Sequence, residues 1–285
     1  MKKEKLVEKQ PFKDKIAIIC GASEGLGKAT AELFIELGGN VCIIARRLEI
    51  LQQAAKEIKN LKVDDSQFVE IISCDTTDMV KLKPLLEEFI TKKGMPHYLI
   101  NSVGYCRSDY IQNLPLEDFK NNMDVNYYGQ LIPTLILLPY FMKAKEGHIA
   151  FVSSMGGFLA FMGFTTYSPT KFALVGLAEA LRNELMPYNI DVSIIYPPAM
   201  DTAGFVKENE TKPEECAFIE GRAGLEQPKD IAETFILKLL KRKFNILPTG
   251  EAKLIWRVKR LMPGYLNKIL DKKYRKALKK MCKKI

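Results

Sequence analysis

The stretch Lys15-Ile-Ala-Ile-Ile-Cys20-Gly21-Ala-Ser-Glu-Gly25-Leu-Gly27 decides the fold of this chain. A short apolar run leads into three glycines, and a helical pattern follows as far as Leu37. Glycines let a backbone turn tightly and approach a ligand, while the start of a helix presents free N–H groups to an anion such as a pyrophosphate. A turn needed only for packing is the alternative, but the strand–turn–helix order favours a dinucleotide site. We therefore expect cofactor contacts from Gly21, Ser23, Glu24, Gly25, Leu26 and Gly27.

Apolar runs recur along the chain and alternate with helical patterns. Runs that are apolar throughout indicate strands buried on both faces of a parallel sheet, and their alternation with helices predicts a doubly wound α/β domain of the Rossmann type. Ligands of such a sheet bind beyond the carboxyl ends of its strands. We predict strands over 15–20, 40–45, 68–73, 97–101, 149–153, 190–196 and 245–247, and helices over 25–37, 48–59, 78–92, 116–143, 166–185 and 228–241.

Two further segments complete the expected organisation. Residues 198–227 contain several glycines and a proline, which is typical of a loop-rich lid over a site. No linker marks a second domain, so we predict a single catalytic domain over 1–250 and a basic helical tail over 251–285.

The end of the second strand predicts which dinucleotide is bound. The sequence Ile44-Ala45-Arg46-Arg47 has no acid before Glu49. An acid at this place usually binds the ribose 2′-hydroxyl of NAD, whereas an arginine accommodates the 2′-phosphate of NADP. We therefore predict NADPH/NADP as the cofactor, with Arg46 as the main contact and Ser23 or Arg47 assisting. Two solvated arginines at a helix start are the alternative.

Polar residues also follow the third and fourth strands. Asp75 and Thr76 stand where they could hydrogen-bond an adenine, and Gly104 allows close backbone approach to a cofactor. Asn126 falls within a predicted helix, where an amide is either a satisfied core group or part of a proton relay. Taken singly, each of these residues is also explained by packing. The residues expected to contact the cofactor here are Asp75, Thr76, Asn101, Ser102, Val103 and Gly104.

Tyr167 and Lys171 carry the strongest chemical signal. They lie four residues apart, thirteen residues after Ser154, and positions i and i+4 of a helix share a face. A phenol has an ordinary pKa of about 10, and a nearby ammonium favours the phenolate. We therefore expect Tyr167 to exchange a proton with a carbonyl or alcohol oxygen, with its pKa depressed by Lys171.

Together these motifs resemble the short-chain dehydrogenase/reductase family over roughly residues 14–245. The resemblance implies that Tyr167 is the proton donor in carbonyl reduction and that Ser154 hydrogen-bonds the carbonyl oxygen. It also implies that Lys171 holds the nicotinamide ribose and that Asn126 positions a water. Cys20, Ser102-Val103 and Pro198 depart from the common family pattern without removing a required chemical group. Further cofactor contacts implied by the family are Tyr167, Lys171, Pro197, Pro198 and Thr202.

The lid from Tyr196 to Glu215 is similar to that of the 3-ketodihydrosphingosine reductases within the family. Those enzymes use NADPH to reduce a long-chain 3-keto amine to sphinganine, so the resemblance implies a lipid-like ketone substrate in sphingolipid synthesis. Related lipid and steroid reductases share parts of this lid. A steroid, a retinoid or a 3-ketoacyl compound is therefore the alternative substrate.

The net charge of +9 is concentrated at the end of the chain. Residues 251–285 hold thirteen Lys and Arg against two acids, a net of +11, with apolar residues at helical spacing and a Pro263-Gly264 break. Such helices can lie in an anionic membrane interface. Alternatively, the apolar stripe packs on the body or across an oligomer interface. A non-enzymatic binder of nucleic acid is a third interpretation, but the Ser-Tyr-Lys set would then serve no purpose, so we expect no nucleic-acid partner.

Composition argues against other kinds of site. The six Cys and two His lack metal-ligand spacing, and no run approaches the length of a membrane span. The charged N-terminus has no apolar region of a secretory signal. We expect no metal, a cytoplasmic location that includes peripheral contact with a membrane, and a homo-oligomer.

Overall fold

The computed structural model describes residues 7–220 and 224–281 and contains one sheet of seven parallel strands. The strand order is β3-β2-β1-β4-β5-β6-β7, with helices on both faces, so the predicted doubly wound α/β fold is confirmed. The strands are β1 Ile16–Cys20, β2 Asn40–Ala45, β3 Val69–Ser73, β4 Tyr98–Asn101, β5 Gly147–Val152, β6 Ile190–Ile195 and β7 Asn245–Ile246.

The order of the strands places the ligand site. β1 lies between β2 and β4, with Cys20 opposite both Ile44 and Asn101 in the register. From β1 the chain adds β2 and β3 on one side of the sheet. It then crosses back and adds β4 to β7 on the other side of β1. A parallel sheet opens a crevice where its order reverses in this way. The glycine-rich turn directly follows β1 and so lies at this crevice.

The helices flank the sheet and bury one apolar face against it. They are α1 Gly25–Glu36, α2 Leu48–Lys59, α3 Met79–Lys93, α4 Leu116–Met123, α5 Gly129–Ala144, α6 Ser168–Glu184, α7 Ala203–Asn209, α8 Glu214–Glu220, α9 Pro228–Leu239, α10 Gly250–Leu261 and α11 Pro263–Lys280. Two buried clusters form the core, one on each face of the sheet.

The long helical region predicted over 116–143 is present, but it is not a single α-helix. A π-helical segment, Asp124–Tyr128, separates α4 from α5, and Asn126 lies within it. Pro133 and Pro139 stand inside α5, which continues past both. The extra residue of a π turn re-aims the side chains that follow, and such segments occur often at functional sites. Apolar spacing alone does not reveal this, because the pattern is nearly continuous across the junction.

The lid is more ordered than its sequence predicts. Two short helices, α7 and α8, occupy the segment expected to be loop-rich. The Thr202 hydroxyl caps α7 by accepting a hydrogen bond from the Phe205 N–H at 3.1 Å. Helices this short have little intrinsic stability, so their packing on the rest of the molecule maintains them. Gly221 of the predicted lid lies outside the described residues.

The C-terminal tail forms two helices that end and begin at the predicted Pro263-Gly264 break. Leu266, Ala277 and Leu278 of α11 are buried, and Trp256 and Val258 of α10 pack against the core. In this structure the apolar stripe of the tail therefore packs on the body. Contact of the tail with a membrane stays a prediction. Within the part of the chain that the structure describes, no helix has the length and apolar content needed to cross a membrane.

Candidate active site

A cavity of about 1110 Å³ opens at the carboxyl ends of the strands. It brings together side chains and backbone from the first turn, the ends of the strands, the lid and the tail. Eighteen of the residues predicted for the site line it: Gly21, Ser23, Glu24, Gly25, Leu26, Arg46, Arg47, Asp75, Thr76, Ser102, Val103, Gly104, Ser154, Tyr167, Lys171, Pro197, Pro198 and Thr202.

The glycine turn has no room for side chains. Gly21 has φ +77°, and a Cβ there would lie 2.8 Å from the Ser102 backbone. A Cβ on Gly27 would lie only 2.2 Å from the Gly21 carbonyl oxygen, so Gly27 allows the helix to close on the turn. The turn therefore exposes backbone, without side chains, to the cavity. A pyrophosphate group can approach such a backbone closely.

The side chain of the N-cap residue does not cap the start of α1. Glu24 makes no side-chain cap hydrogen bond, and the first N–H groups of an α-helix have no partner within the helix. The Glu24 carboxylate instead pairs with Arg47. Arg46 is about two-thirds exposed, and one of its guanidinium nitrogens lies 3.5 Å from an Asp75 carboxylate oxygen. The donor set of free amides and two arginines fits the phosphates of a dinucleotide.

Three predicted residues lie behind the cavity wall and do not line it. Gly27 contacts the Gly21 backbone, as described above. Asn101 is fully buried at the end of β4 and donates to the Thr134 hydroxyl at 3.1 Å. Asn126 is also fully buried. For Gly27 and Asn101 the structure shows a packing role, and their predicted contact with the cofactor stays a prediction.

Asn126 holds the loop after β4. Its Oδ1 accepts the Tyr105 N–H at 2.8 Å, and its Nδ2 donates to the Tyr105 carbonyl at 2.9 Å and to the Thr170 hydroxyl at 3.0 Å. A Cβ on Gly104 would lie 3.1 Å from both Asn126 Oδ1 and Lys171 Nζ. Asn126 and Lys171 thus meet at Gly104, and the π-helical segment is what aims the amide at this point.

Ser154, Tyr167 and Lys171 meet at the start of α6. The Ser154 hydroxyl accepts the Gly156 N–H at 3.0 Å and hydrogen-bonds the Tyr167 phenol. The Lys171 ammonium donates to the Val152 carbonyl at 3.0 Å and lies 5.5 Å from the centre of the Tyr167 ring. The three side chains therefore form one polar cluster at the wall of the cavity.

The pKa of Tyr167 moves in the direction opposite to the expected one. Burial raises the pKa of the phenol well above its ordinary value, and the Ser154 hydrogen bond offsets only part of this shift. Burial also lowers the pKa of Lys171 to about 8, because the ammonium is removed from water. Desolvation is the largest influence on the pKa of Tyr167, and the Lys171 ammonium does not lower that pKa as the sequence predicted.

The lid and the tail supply residues that the sequence analysis did not place in the site. Glu208 and Glu220 of the lid line the cavity, and both pair with Lys212, which does not line it, at 2.6 Å and 2.8 Å. The Lys212 side chain is 1% exposed. Lys212 also lies over the rings of Phe164 and Phe205. Aliphatic side chains of α10 and α11 complete the wall. The helical spacing of the tail did reveal its apolar stripe, but spacing cannot tell which surface the stripe covers.

The sequence model of the short chain dehydrogenase family matches residues 15–213. The chain belongs to this family. As a short-chain dehydrogenase it is an oxidoreductase acting on an alcohol or carbonyl group, and nicotinamide dinucleotides are the cofactor class of the family. Among residues 7–220 and 224–281 of this short-chain dehydrogenase, no group of three or more His, Cys, Asp or Glu could hold a metal ion.

Two named reductases are similar to this chain over most of its length. The short-chain dehydrogenase is 36% identical over 229 residues to a 3-dehydrosphinganine reductase of Danio rerio, a match that covers 80% of this chain and 69% of the relative. It is 35% identical, with the same coverage, to a 3-ketodihydrosphingosine reductase of Bos taurus. The expected resemblance to this group is confirmed.

Solved structures share the fold. A short-chain dehydrogenase from Streptomyces avermitilis superposes with a TM-score of 0.74 at 25% identity, covering 94% of this chain and 96% of that chain. A 3-oxoacyl-[acyl-carrier protein] reductase from Brucella melitensis also gives a TM-score of 0.74, at 22% identity, and covers 87% of this chain and 95% of that chain.

Proposed function

We propose that this short-chain dehydrogenase reduces the ketone of a long-chain 3-keto amine, 3-ketodihydrosphingosine, with NADPH. One observation carries the proposal: the Ser154, Tyr167 and Lys171 cluster shares a single cavity with an apolar wall built from the lid and the tail. The relatives named for this reaction, at 35–36% identity, support the same substrate class.

The residues that would hold the dinucleotide are those of the first turn and the strand ends. The amides at the start of α1 would hydrogen-bond the pyrophosphate, and Asp75 and Thr76 would hydrogen-bond the adenine. Gly104 would let the nicotinamide half approach the backbone closely. When bound, the reduced nicotinamide supplies the hydride. Every other step falls to the side chains of this protein.

Tyr167 donates the proton to the carbonyl oxygen. Because burial raises its pKa, the phenol stays protonated at neutral pH, which is the form a general acid needs. The Ser154 hydroxyl hydrogen-bonds the same carbonyl oxygen and stabilises the negative charge that develops on it.

Lys171 holds the ribose and supports the phenol as its proton leaves. With a pKa of about 8 it is mostly an ammonium at neutral pH. Asn126 positions this region by holding the Tyr105 backbone and Thr170, and the second lone pair of its Oδ1 is an acceptor for the proposed water of a proton relay.

Arg46 sets the preference for NADPH. Its exposed guanidinium lies at the end of β2 beside Asp75, with Ser23 and Arg47 on the same cavity wall. A 2′-phosphate would gain charge-assisted hydrogen bonds from Arg46 that a ribose hydroxyl does not offer. We expect Arg46→Ala to raise the KM for NADPH by about 10- to 100-fold and to leave the KM for NADH nearly unchanged. Equal effects on the two cofactors would contradict the assignment.

A substrate panel with purified protein tests the function. It compares 3-ketodihydrosphingosine with a 3-ketoacyl thioester, a steroid ketone and a retinal, each with NADPH and with NADH. We expect the highest kcat/KM for 3-ketodihydrosphingosine with NADPH. A higher kcat/KM for a steroid or thioester would assign the enzyme to another apolar carbonyl, and turnover of none of them would defeat the reductase proposal.

The proposed location is the cytoplasm, at a membrane surface where such a lipid is present. The five described cysteines are free thiols, as in a reducing compartment. The basic tail, with a net charge of +11, supports contact with anionic lipid. We also propose a homo-oligomer, which sedimentation of the purified protein would test.

A further inference from the structure

We propose that the two C-terminal helices form the binding site for the alkyl chain of the substrate, so that the tail sets chain-length specificity. The inference rests on the proposed function, since it assigns a place to one part of that substrate. It concerns residues 250–280, which lie beyond the 15–213 segment matched by the family model.

The tail presents one aliphatic face to the cavity. In α10 the aliphatic lining residues follow an i, i+1, i+4 spacing, and in α11 an i, i+3, i+4 spacing, so each aliphatic set falls within a stripe about 100° wide on its helix. The charged tail residues that reach the cavity, Glu251 and Lys273, lie near the start of α10 and in the second half of α11. The aliphatic lining residues are Leu254, Ile255, Val258, Leu266, Ile269 and Leu270.

Polar contacts hold this face against the body. The Lys273 ammonium donates to the Ile219 carbonyl of α8 at 3.5 Å, and Glu215 of α8 and Tyr274 of α11 both lie close enough to the Tyr110 phenol to help raise its pKa. On α10, Arg260 pairs with Glu179 of α6 at 3.4 Å. The wall is therefore fixed to the lid and to the helix that carries Tyr167. A membrane-facing stripe would not need such anchors.

The aliphatic face of the tail lies where the alkyl chain of the substrate would bind. The aliphatic face lines the same cavity as Tyr167, and Phe164, whose ring centre lies 6.1 Å from that of Tyr167, also lines this cavity. A ketone at Tyr167 with a long chain can therefore extend along an apolar path. Ile269 and Leu270 are only half-buried, so a ligand could cover apolar surface that the protein leaves open.

Each methylene removed from water contributes to binding, and full burial corresponds to about a fourfold gain in affinity per methylene. A wall of this kind therefore produces a steep dependence of KM on chain length, while kcat changes little. A tail that only packs on the body would give no such dependence.

The test is a chain-length series without vesicles, so that a membrane surface cannot contribute. The full-length protein and Ile269→Trp are assayed with 3-ketodihydrosphingosine and analogues shortened stepwise at the alkyl end. Wild type should show a KM that falls as the chain lengthens. Ile269→Trp should raise the KM for the longest chain by about tenfold or more and leave the shortest analogue unchanged, because the indole fills the space of several methylenes.

Matched variants exclude a folding defect. Leu261→Trp changes an aliphatic tail residue that is 80% exposed and outside the cavity lining, and it should behave as wild type. Ile269→Ala opens the wall without steric clash. In that variant the product, sphinganine, should bind more weakly than to wild type when titrated against the fluorescence of Trp256, the only tryptophan.

The outcomes separate the two proposals. A wild-type enzyme that reduces all chain lengths with the same KM would overturn the alkyl site and leave ketone reduction intact. Equal losses for long and short chains in Ile269→Trp, with normal activity in Leu261→Trp, would also overturn it. A wild-type enzyme that reduces no member of the series would instead count against the proposed function.

Discussion

Tyr167 is a half-buried acid whose environment favours the protonated form. Its hydroxyl has only the Ser154 hydrogen bond to favour ionisation, and burial opposes it. Tyr167→Phe removes the proton donor and keeps the ring, so kcat for ketone reduction should fall by about 100- to 10,000-fold. The Kd for NADPH, measured by nicotinamide fluorescence, should stay within a few-fold of wild type. Turnover close to normal would refute the role of Tyr167.

Lys171 makes stability depend on pH. Its pKa of about 8 in the folded protein lies below the ordinary 10.5. At neutral pH the Lys171 ammonium is buried in the folded state and hydrated in the unfolded state. This difference lowers the free energy of unfolding by an amount on the order of 3 kcal/mol. As pH rises from about 8 to 10.5, the folded protein gives up this proton first, and the cost disappears.

We expect cofactor-free Lys171→Met to be more stable than wild type at neutral pH. Loss of the ammonium leaves the Val152 carbonyl with the Gln130 amide as donor, at 3.1 Å, so no buried acceptor is orphaned. Urea unfolding should show a difference that shrinks as pH rises through the window from about 8 to 10.5. A difference that is constant with pH would mean that Lys171 does not titrate in this range.

At the residue scale, most residues of the candidate site could be predicted from the sequence to lie together, because they follow strand ends. Arg46, Asp75 and Ser154 each stand just beyond an apolar run, and the topology collects them at one edge of the sheet. The pKa of Tyr167 could not be predicted in this way. It depends on how much protein surrounds the phenol, and that follows from the packing of the lid and the tail.

At the element scale, the strands were predicted to within a residue or two because most of them are mainly apolar runs. The π-helical segment was not, since Asn126 lies in a pattern that continues smoothly from α4 into α5. The lid helices were also missed. They are only seven residues each, and tertiary contacts such as the Lys212 ion pairs maintain them.

Lys212 is the residue that joins the two lid helices. Burial alone would lower its pKa, but hydrogen bonds to Glu208 of α7 and Glu220 of α8 outweigh this and raise it. Lys212→Met leaves two carboxylates facing each other without a cation. Breaking a buried pair of this kind costs about 3–5 kcal/mol of stability. We expect the lid helices to be the part of the structure that is destabilised.

Hydrogen exchange measures this effect. Amides of residues 203–220 should exchange faster in Lys212→Met, while those of β1 and β4 should keep their protection. Lys207→Met is the matched control, because Lys207 is an exposed lysine on α7. Unchanged exchange in the lid of Lys212→Met would show that other contacts hold α7 and α8 together.

At the scale of the whole molecule, charge and apolar surface are separated. The sheet and its helices carry almost no net charge, while residues 251–285 carry +11. The tail turns its buried aliphatic face inward, yet Leu261 and Met262 at the α10–α11 junction are mostly exposed. The sequence could predict this basic amphipathic tail, but not the division of its apolar residues between the cavity and the surface, which depends on where the helices dock.

Exposed apolar residues next to many cations fit the surface of an anionic membrane. We expect the protein to bind vesicles that contain phosphatidylserine, to bind phosphatidylcholine vesicles weakly, and to lose binding as salt is raised. Leu261→Asp should reduce vesicle binding by about tenfold or more, because a leucine that enters the interface is replaced by an anion. Val80→Asp is the control, since Val80 is 86% exposed on α3, outside the tail. Co-sedimentation measures all three proteins, and equal binding by Leu261→Asp and wild type would place the contact elsewhere.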